Sequence, residues 1–300
     1  MRRSSVVFAL LAIMACAQPS SVKTYLFLGH PYRWIGSGDR VDPRVEELSL
    51  ERYDQIFLGG DVCAKATGRR ETLAYLDSLF RFENGNVHWA WGNHDVEQGH
   101  EDWLLQTTRR PEFYQVWLDG IALVVLNTNL LQWPNARPSE EFCLRMENQY
   151  AMIRDLADTV KAASHVLILH HYCLLTDELT ENTYGLDTVF NYYKPFLKMR
   201  CRPDDATFEQ AIYPLLVKIR EKGIEVILAG GDIGQRSKAF SFKTAEGIWF
   251  LGSGINNSAD PAYAPAYVTN FDPDSVLVFR HEVERRKLSW EFYDLGEEGL

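Results

Sequence analysis

"HWAWGNHD", residues 88–95, decides how this 300-residue chain folds. An aromatic, apolar run of the kind that forms a buried strand stops at Gly92. A carboxamide, an imidazole and a carboxylate follow at once, in Asn93, His94 and Asp95. Polar groups bunched where a strand ends belong to α/β architectures, in which parallel strands aim their C-terminal ends at one edge and active groups gather on the loops there. The same punctuation recurs: "LFLGH" ends in His30, "FLGGD" in Asp61, "LILHH" in His170 and His171, and "LAGGD" in Asp232. Carboxylates, a carboxamide oxygen and imidazoles meeting at one edge make a mixed oxygen and nitrogen site, suited to Zn, Mn or Fe rather than a thiolate-seeking metal.

Around this block, short β-branched and aromatic runs alternate with helix-like stretches. "KTYLFLG", "DQIFLGG", "VHWAW", "IALVVLN", "HVLILH", "IEVILAG", "GIWFLGS", "SVLVFRH" and "LSWEFY" read as strands. "RRETLAYLDSLFRF", "ENQYAMIRDLADTVKAA" and "FEQAIYPLLVKIREKG" place apolar residues three and four apart and read as helices, the last stopped by Gly223. The alternation predicts a largely parallel sheet, and the last two strands, with no helix between them, predict an antiparallel pair finishing a second sheet. No repeat or linker divides residues 22–300, so they read as one domain.

The order Gly60-Asp61, Gly92-Asn93-His94-Asp95 and strand-terminal His170-His171 resembles the calcineurin-like metallophosphoesterase family. "VVLNTN" followed by "MENQYAMIRDL" is similar to that family's strand and Gln-led helix. The resemblance implies a four-layer αββα sandwich, two mixed sheets face to face with helices on the outer faces. It also implies two divalent ions (Mn, Zn or Fe) about 3.5–4 Å apart, which clamp a phosphoryl group and activate a bridging hydroxide. By position, Asp61 would bridge both ions, Asn93 and His170 would bind one of them, His94 would face the scissile bond, donating a hydrogen bond to the phosphoryl oxygens or a proton to the leaving oxygen, and Asp95 would orient His94. His171 reads as a neighbour of the ligands, though the sequence leaves open that it replaces His170. His88, His100, His165 and His281 carry no motif and read as structural.

Two motifs depart from the family. Its opening Asp-x-His is here Leu28-Gly29-His30-Pro31-Tyr32, and its closing Gly-His-x-His is Gly230-Gly231-Asp232-Ile233-Gly234. "LGGDVC" and "AGGDIG" are near twins, so Asp232 is expected to restore the lost carboxylate. The expected site puts His30, Asp61 and Asp232 around one ion and Asn93, His170 and Asp61 around the other, with one ion weakly held or absent. The implied activity is hydrolysis of a phosphomonoester or phosphodiester. A degenerate relative that binds a phosphorylated glycan or lipid without turnover stands beside it.

With 46% hydrophobic residues the chain can bury a large core, and a formal charge of −10 argues against a general nucleic-acid binder. "MRRSSVVFALLAIMAC" has two arginines, an apolar run too short to span a bilayer, and Cys16. It reads as a lipoprotein-type signal over residues 1–15 with Cys16 lipidated, and alternatively as an ordinary secretory signal. The expected location is the bacterial cell envelope, periplasmic side, anchored to the membrane through the lipid. Cys63, Cys143, Cys173 and Cys201 remain and could pair in three ways; Cys63 and Cys173 are expected as spatial neighbours near the ligands. Residues 176–208, with clustered aromatics and cations, read as an insertion or lid, and equally as a solvated helix.

Overall fold

All nine expected strands form, because each is a short run rich in β-branched, aromatic or other apolar residues. The computed structural model describes residues 21–33, 38–131, 138–172, 174, 201, 208–256, 261–264, 266 and 268–297. The signal segment, Cys16, Cys173 and nearly all of 176–208 lie outside these residues. The strands are β1 (Val22–Leu28), β2 (Gln55–Leu58), β3 (Val87–Trp89), β4 (Tyr114–Leu118), β5 (Ile121–Val125), β6 (His165–His170), β7 (Glu225–Gly230), β8 (Ala239–Lys243), β9 (Trp249–Ser253), β10 (Ser275–Glu282) and β11 (Lys287–Asp294).

Two mixed sheets result, in the orders β11-β10-β1-β2-β3 and β4-β5-β6-β7-β9-β8. β1, β2 and β3 run parallel, as do β5, β6, β7 and β9. β10 and β11 pair antiparallel, as expected, and close the edge of the sheet that contains β1. The two strands without a sequence signal, β4 and β8, are antiparallel edges of the second sheet.

The sheets face each other across an aromatic and aliphatic core that includes Tyr25, Phe27, Phe57, Leu123, Leu167, Leu169, Ile227 and Phe279. Their outer faces carry helices. Arg70–Phe80 buries Thr72, Leu73, Leu76 and Phe80 against the first sheet; Glu140–Thr159 and Tyr213–Glu221 cover the second through Met146, Ile153, Leu156, Leu216 and Ile219. The four-layer αββα sandwich is therefore present. Glu140–Thr159 starts earlier than its sequence signal because Ser139 caps it, accepting from the Phe142 N–H at 3.1 Å. Among the described residues no helix is long and apolar enough to cross a membrane.

Cys143 pairs with Cys201 in a disulfide that closes a 58-residue separation, while Cys63 stays a free, buried thiol in the helix-side core. A loop of that size constrains the unfolded chain by about 4 kcal/mol. Cys143→Ser should lower the free energy of unfolding in denaturant by up to that amount; an unchanged midpoint would mean the bond adds nothing to stability.

Candidate metal centre

The two sheets bring the C-terminal ends of their parallel strands to one edge, where they nearly touch. A Cβ at Gly231 would collide with the Gly59 carbonyl, so only glycine lets the strand ends of β2 and β7 approach this closely. Backbone bonds stitch the edge together: Tyr32 N–H to Asp61 O at 3.2 Å, Ile255 N–H to Gly29 O at 3.1 Å and Asp232 N–H to His171 O at 3.0 Å.

His30 and Asp61 each leave their strand in the left-handed conformation, with φ of 51° and 52°. Non-glycine residues seldom adopt it, and such strain gathers at functional sites. The turn aims both side chains into the same buried space. His30 Nε2 and His171 Nε2 each lie 3.5 Å from Asp61 Oδ2. His171 Nε2 is also 3.3 Å from Asn93 Oδ1 and 4.0 Å from Asp232 Oδ1. Ligand atoms of His30, Asp61 and Asp232 all fall within 4.8 Å of one another, and all three residues are buried. Four of the five expected ligands thus meet.

His170 is the exception, and its place is a correction. Its Nδ1 bonds the Tyr172 carbonyl at 2.7 Å, and its ring lies against Gly230. Along β6, Leu167 and Leu169 face the other sheet while Val166 and Ile168 face the helices. His171 continues the first series and His170 the second. Parity was the available signal, but β6 is apolar on both faces, so the sequence does not say which one meets Asp61.

Asp95 also departs from expectation. As the third residue of the short helix Asn93–Val96 it folds back on the preceding turn instead of reaching His94. Its carboxylate accepts from the N–H groups of Asp61, Val62, Cys63 and Gly92 and from Trp89 Nε1, at 2.8–3.3 Å. It fixes the Asp61 loop to the Asn93 turn. The orienter of His94 is Glu97, three residues on along the helical face, whose Oε2 accepts from His94 Nδ1 at 3.0 Å. Sequence reasoning missed this residue, as it did Asn129, whose Nδ2 donates to the Trp91 and Gly92 carbonyls at 3.1 and 3.3 Å. Tyr32 packs its ring 4.6 Å from that of His30 and 5.6 Å from that of His94. Cys63 points into the helix-side core, and burial pushes its thiol well up, so it is no ligand.

The electrostatics fit a cation. Burial pushes Asp61 up, but the facing imidazoles of His171, His30 and His94 outweigh it and hold the carboxyl below its usual range. Burial pushes His30 down to about 4, so at neutral pH it is an uncharged imidazole with a lone pair to give. His171 Nδ1 donates to the Gly59 carbonyl at 2.9 Å, which turns Nε2 toward the three oxygens of Asn93, Asp61 and Asp232. For His94, burial lowers the pKa, but the charges of Asp61 and Glu97 more than offset it, and the net direction is up.

Solved structures share this architecture. The chain superposes with a TM-score of 0.53 on GAP50, the anchor in the inner membrane complex of Plasmodium, at 9% identity, covering 93% of this chain and 86% of that one. It also superposes on a dimetal phosphatase from Danio rerio, with a TM-score of 0.51 and 13% identity, covering 86% of this chain and 92% of that one. The chain shares its fold, two mixed sheets face to face with helices outside, with these two structures. No protein-family model matches the sequence, and no curated protein does. At such identities the likeness carries the architecture and leaves the chemistry to the residues described above.

Proposed function

We propose that the protein is a metal-dependent phosphoric ester hydrolase. The observation that carries this reading is Asp61 Oδ2 lying 3.5 Å from two imidazole nitrogens on opposite sheets, the arrangement of a carboxylate that bridges two cations. His30, Asp61 and Asp232 would hold one ion; Asp61, Asn93 and His171 would hold the other. Bound there, the ions supply an activated water and neutralise the charge on a phosphoryl group. Asp95 and Asn129 hold the Asp61 loop and the Gly92 turn in register. His94, whose side chain is about a third exposed, faces outward where a substrate arrives and gives a proton to the leaving oxygen, with Glu97 fixing its ring.

Export to the cell envelope is part of the proposal. It is supported by the Cys143–Cys201 disulfide, which persists in oxidising compartments, and by the Arg2, Arg3, apolar run and Cys16 of the leading segment. A phosphorylated small molecule, glycan or lipid is the substrate class that fits this location.

Hydrolysis of p-nitrophenyl phosphate and bis(p-nitrophenyl) phosphate with added Mn²⁺ or Zn²⁺ tests the activity and sorts monoesterase from diesterase. Turnover that disappears with chelator is expected. Metal bound without turnover of either ester, or of alkyl phosphates, would favour a second reading, a binder that does not hydrolyse. That alternative draws on the opening motif, Leu28-Gly29-His30-Pro31-Tyr32, lacking the family's carboxylate. The ligand assignment has its own test: His171→Ala should weaken metal binding by more than about tenfold, whereas His170→Ala should leave it intact. The reverse result would return His170 to the ligand set.

A further inference from the structure

At the opposite end of the sandwich, β6, β7 and β9 begin, and a cavity of about 420 Å³ opens between their first residues and the β10–β11 hairpin. From His165 at the cavity to His171 at the metal centre runs the whole of β6, about 20 Å at 3.3 Å per residue. The volume suits a small molecule. The lining is chemically specific: Trp249 and Trp290 form one wall, Arg286 and Lys287 stand at the hairpin rim, and Ser164 and His165 form the polar part of the β6 side.

Each group has a definable capacity. The two indoles meet edge to face, centroids 5.0 Å apart, and are half-buried, so they offer apolar ring surface. Arg286 sits in the left-handed conformation, φ 53°, at a hairpin position that glycine would occupy without strain. Its guanidinium donates to the Ala162 carbonyl at 3.0 Å and retains further N–H groups. Lys287 stands 3.8 Å from Glu282, and Glu225 is already tied to Arg220 at 2.9 Å. The rim therefore favours an anion. Ser164 Oγ directs its single proton to the Gly120 carbonyl at 3.0 Å, so at 2.9 Å it accepts from His165 Nδ1–H. That fixes the tautomer and leaves His165 Nε2 as an acceptor. Burial holds this imidazole uncharged at neutral pH. An acceptor asks the ligand for a hydroxyl.

We propose that this cavity is a second ligand site, separate from the metal centre, that takes an acidic sugar: a pyranose lying against Trp249 and Trp290, its carboxylate on Arg286 and a hydroxyl donating to His165. An aromatic acid without a hydroxyl, such as benzoate, would leave His165 unpaired, and a neutral sugar would lack the anion.

Tryptophan fluorescence of the whole protein, titrated with D-glucuronate, tests the site, with D-glucose and benzoate as controls. A saturable change with glucuronate and at least about tenfold weaker responses to both controls are expected. Arg286→Gly removes the cation at a position whose backbone prefers glycine, so it should keep its melting temperature and its phosphoester hydrolysis while binding glucuronate at least about tenfold more weakly. Trp290→Phe should weaken binding too. The proposal is overturned if glucuronate gives no saturable response, if Arg286→Gly binds as tightly as the parent, or if chelating the metal abolishes the response. None of these outcomes bears on hydrolysis at the far edge.

Discussion

Asp61→Asn is expected to empty the metal centre. Asparagine has nearly the same shape, tolerates the left-handed φ of 52°, and keeps an oxygen to accept the His94 N–H that Asp61 Oδ1 now accepts at 3.0 Å. What it lacks is charge. The two buried imidazoles 3.5 Å from Oδ2 would then face a neutral amide, and neither ion would keep its shared anionic ligand. Losing several kcal/mol of transition-state stabilisation corresponds to a rate decrease on the order of 10³-fold or more. Metal content measured on purified protein should fall in parallel. A variant that keeps both its metal and its rate would remove Asp61 from the bridge.

His94→Ala should act differently, leaving metal in place and cutting the rate by roughly 10²–10⁴-fold. Its Nδ1 is held by Glu97, and its hydrogen bond to Asp61 runs through the backbone N–H, so the side chain is no ligand. The loss should depend on the leaving group. An alkyl phosphate, whose departing oxygen needs a proton, should suffer the full decrease, and p-nitrophenyl phosphate much less. Glu97→Gln should reproduce the trend in weaker form. Equal losses for both esters would assign His94 to phosphoryl binding instead of proton transfer.

The fold was legible because its parallel strands are short apolar runs that stop abruptly at glycine or polar residues. The strands that escaped, β4 and β8, are edges: their side chains alternate between exposed and half-buried, as a surface loop's can. At the metal edge, His30, Asp61, Asn93 and Asp232 were legible because each closes a strand. His170 and His171 were not separable, since facing the other sheet depends on parity within a strand whose six residues are all buried. Asp95 misled for a related reason. The resemblance implied that Asp95 orients His94, but a helical turn sends the third residue back to its own N-terminus and brings Glu97 alongside. Nor could spacing choose Cys143 and Cys201 as partners, because it carries no information about which helix meets which loop.

The most direct measurement is anomalous scattering from crystals of the parent protein grown with Mn²⁺. Two peaks are predicted, both within coordination distance of Asp61, one reached by His30 and Asp232 and the other by Asn93 and His171. Fully occupied manganese elsewhere, with no density among these five side chains, would contradict the account.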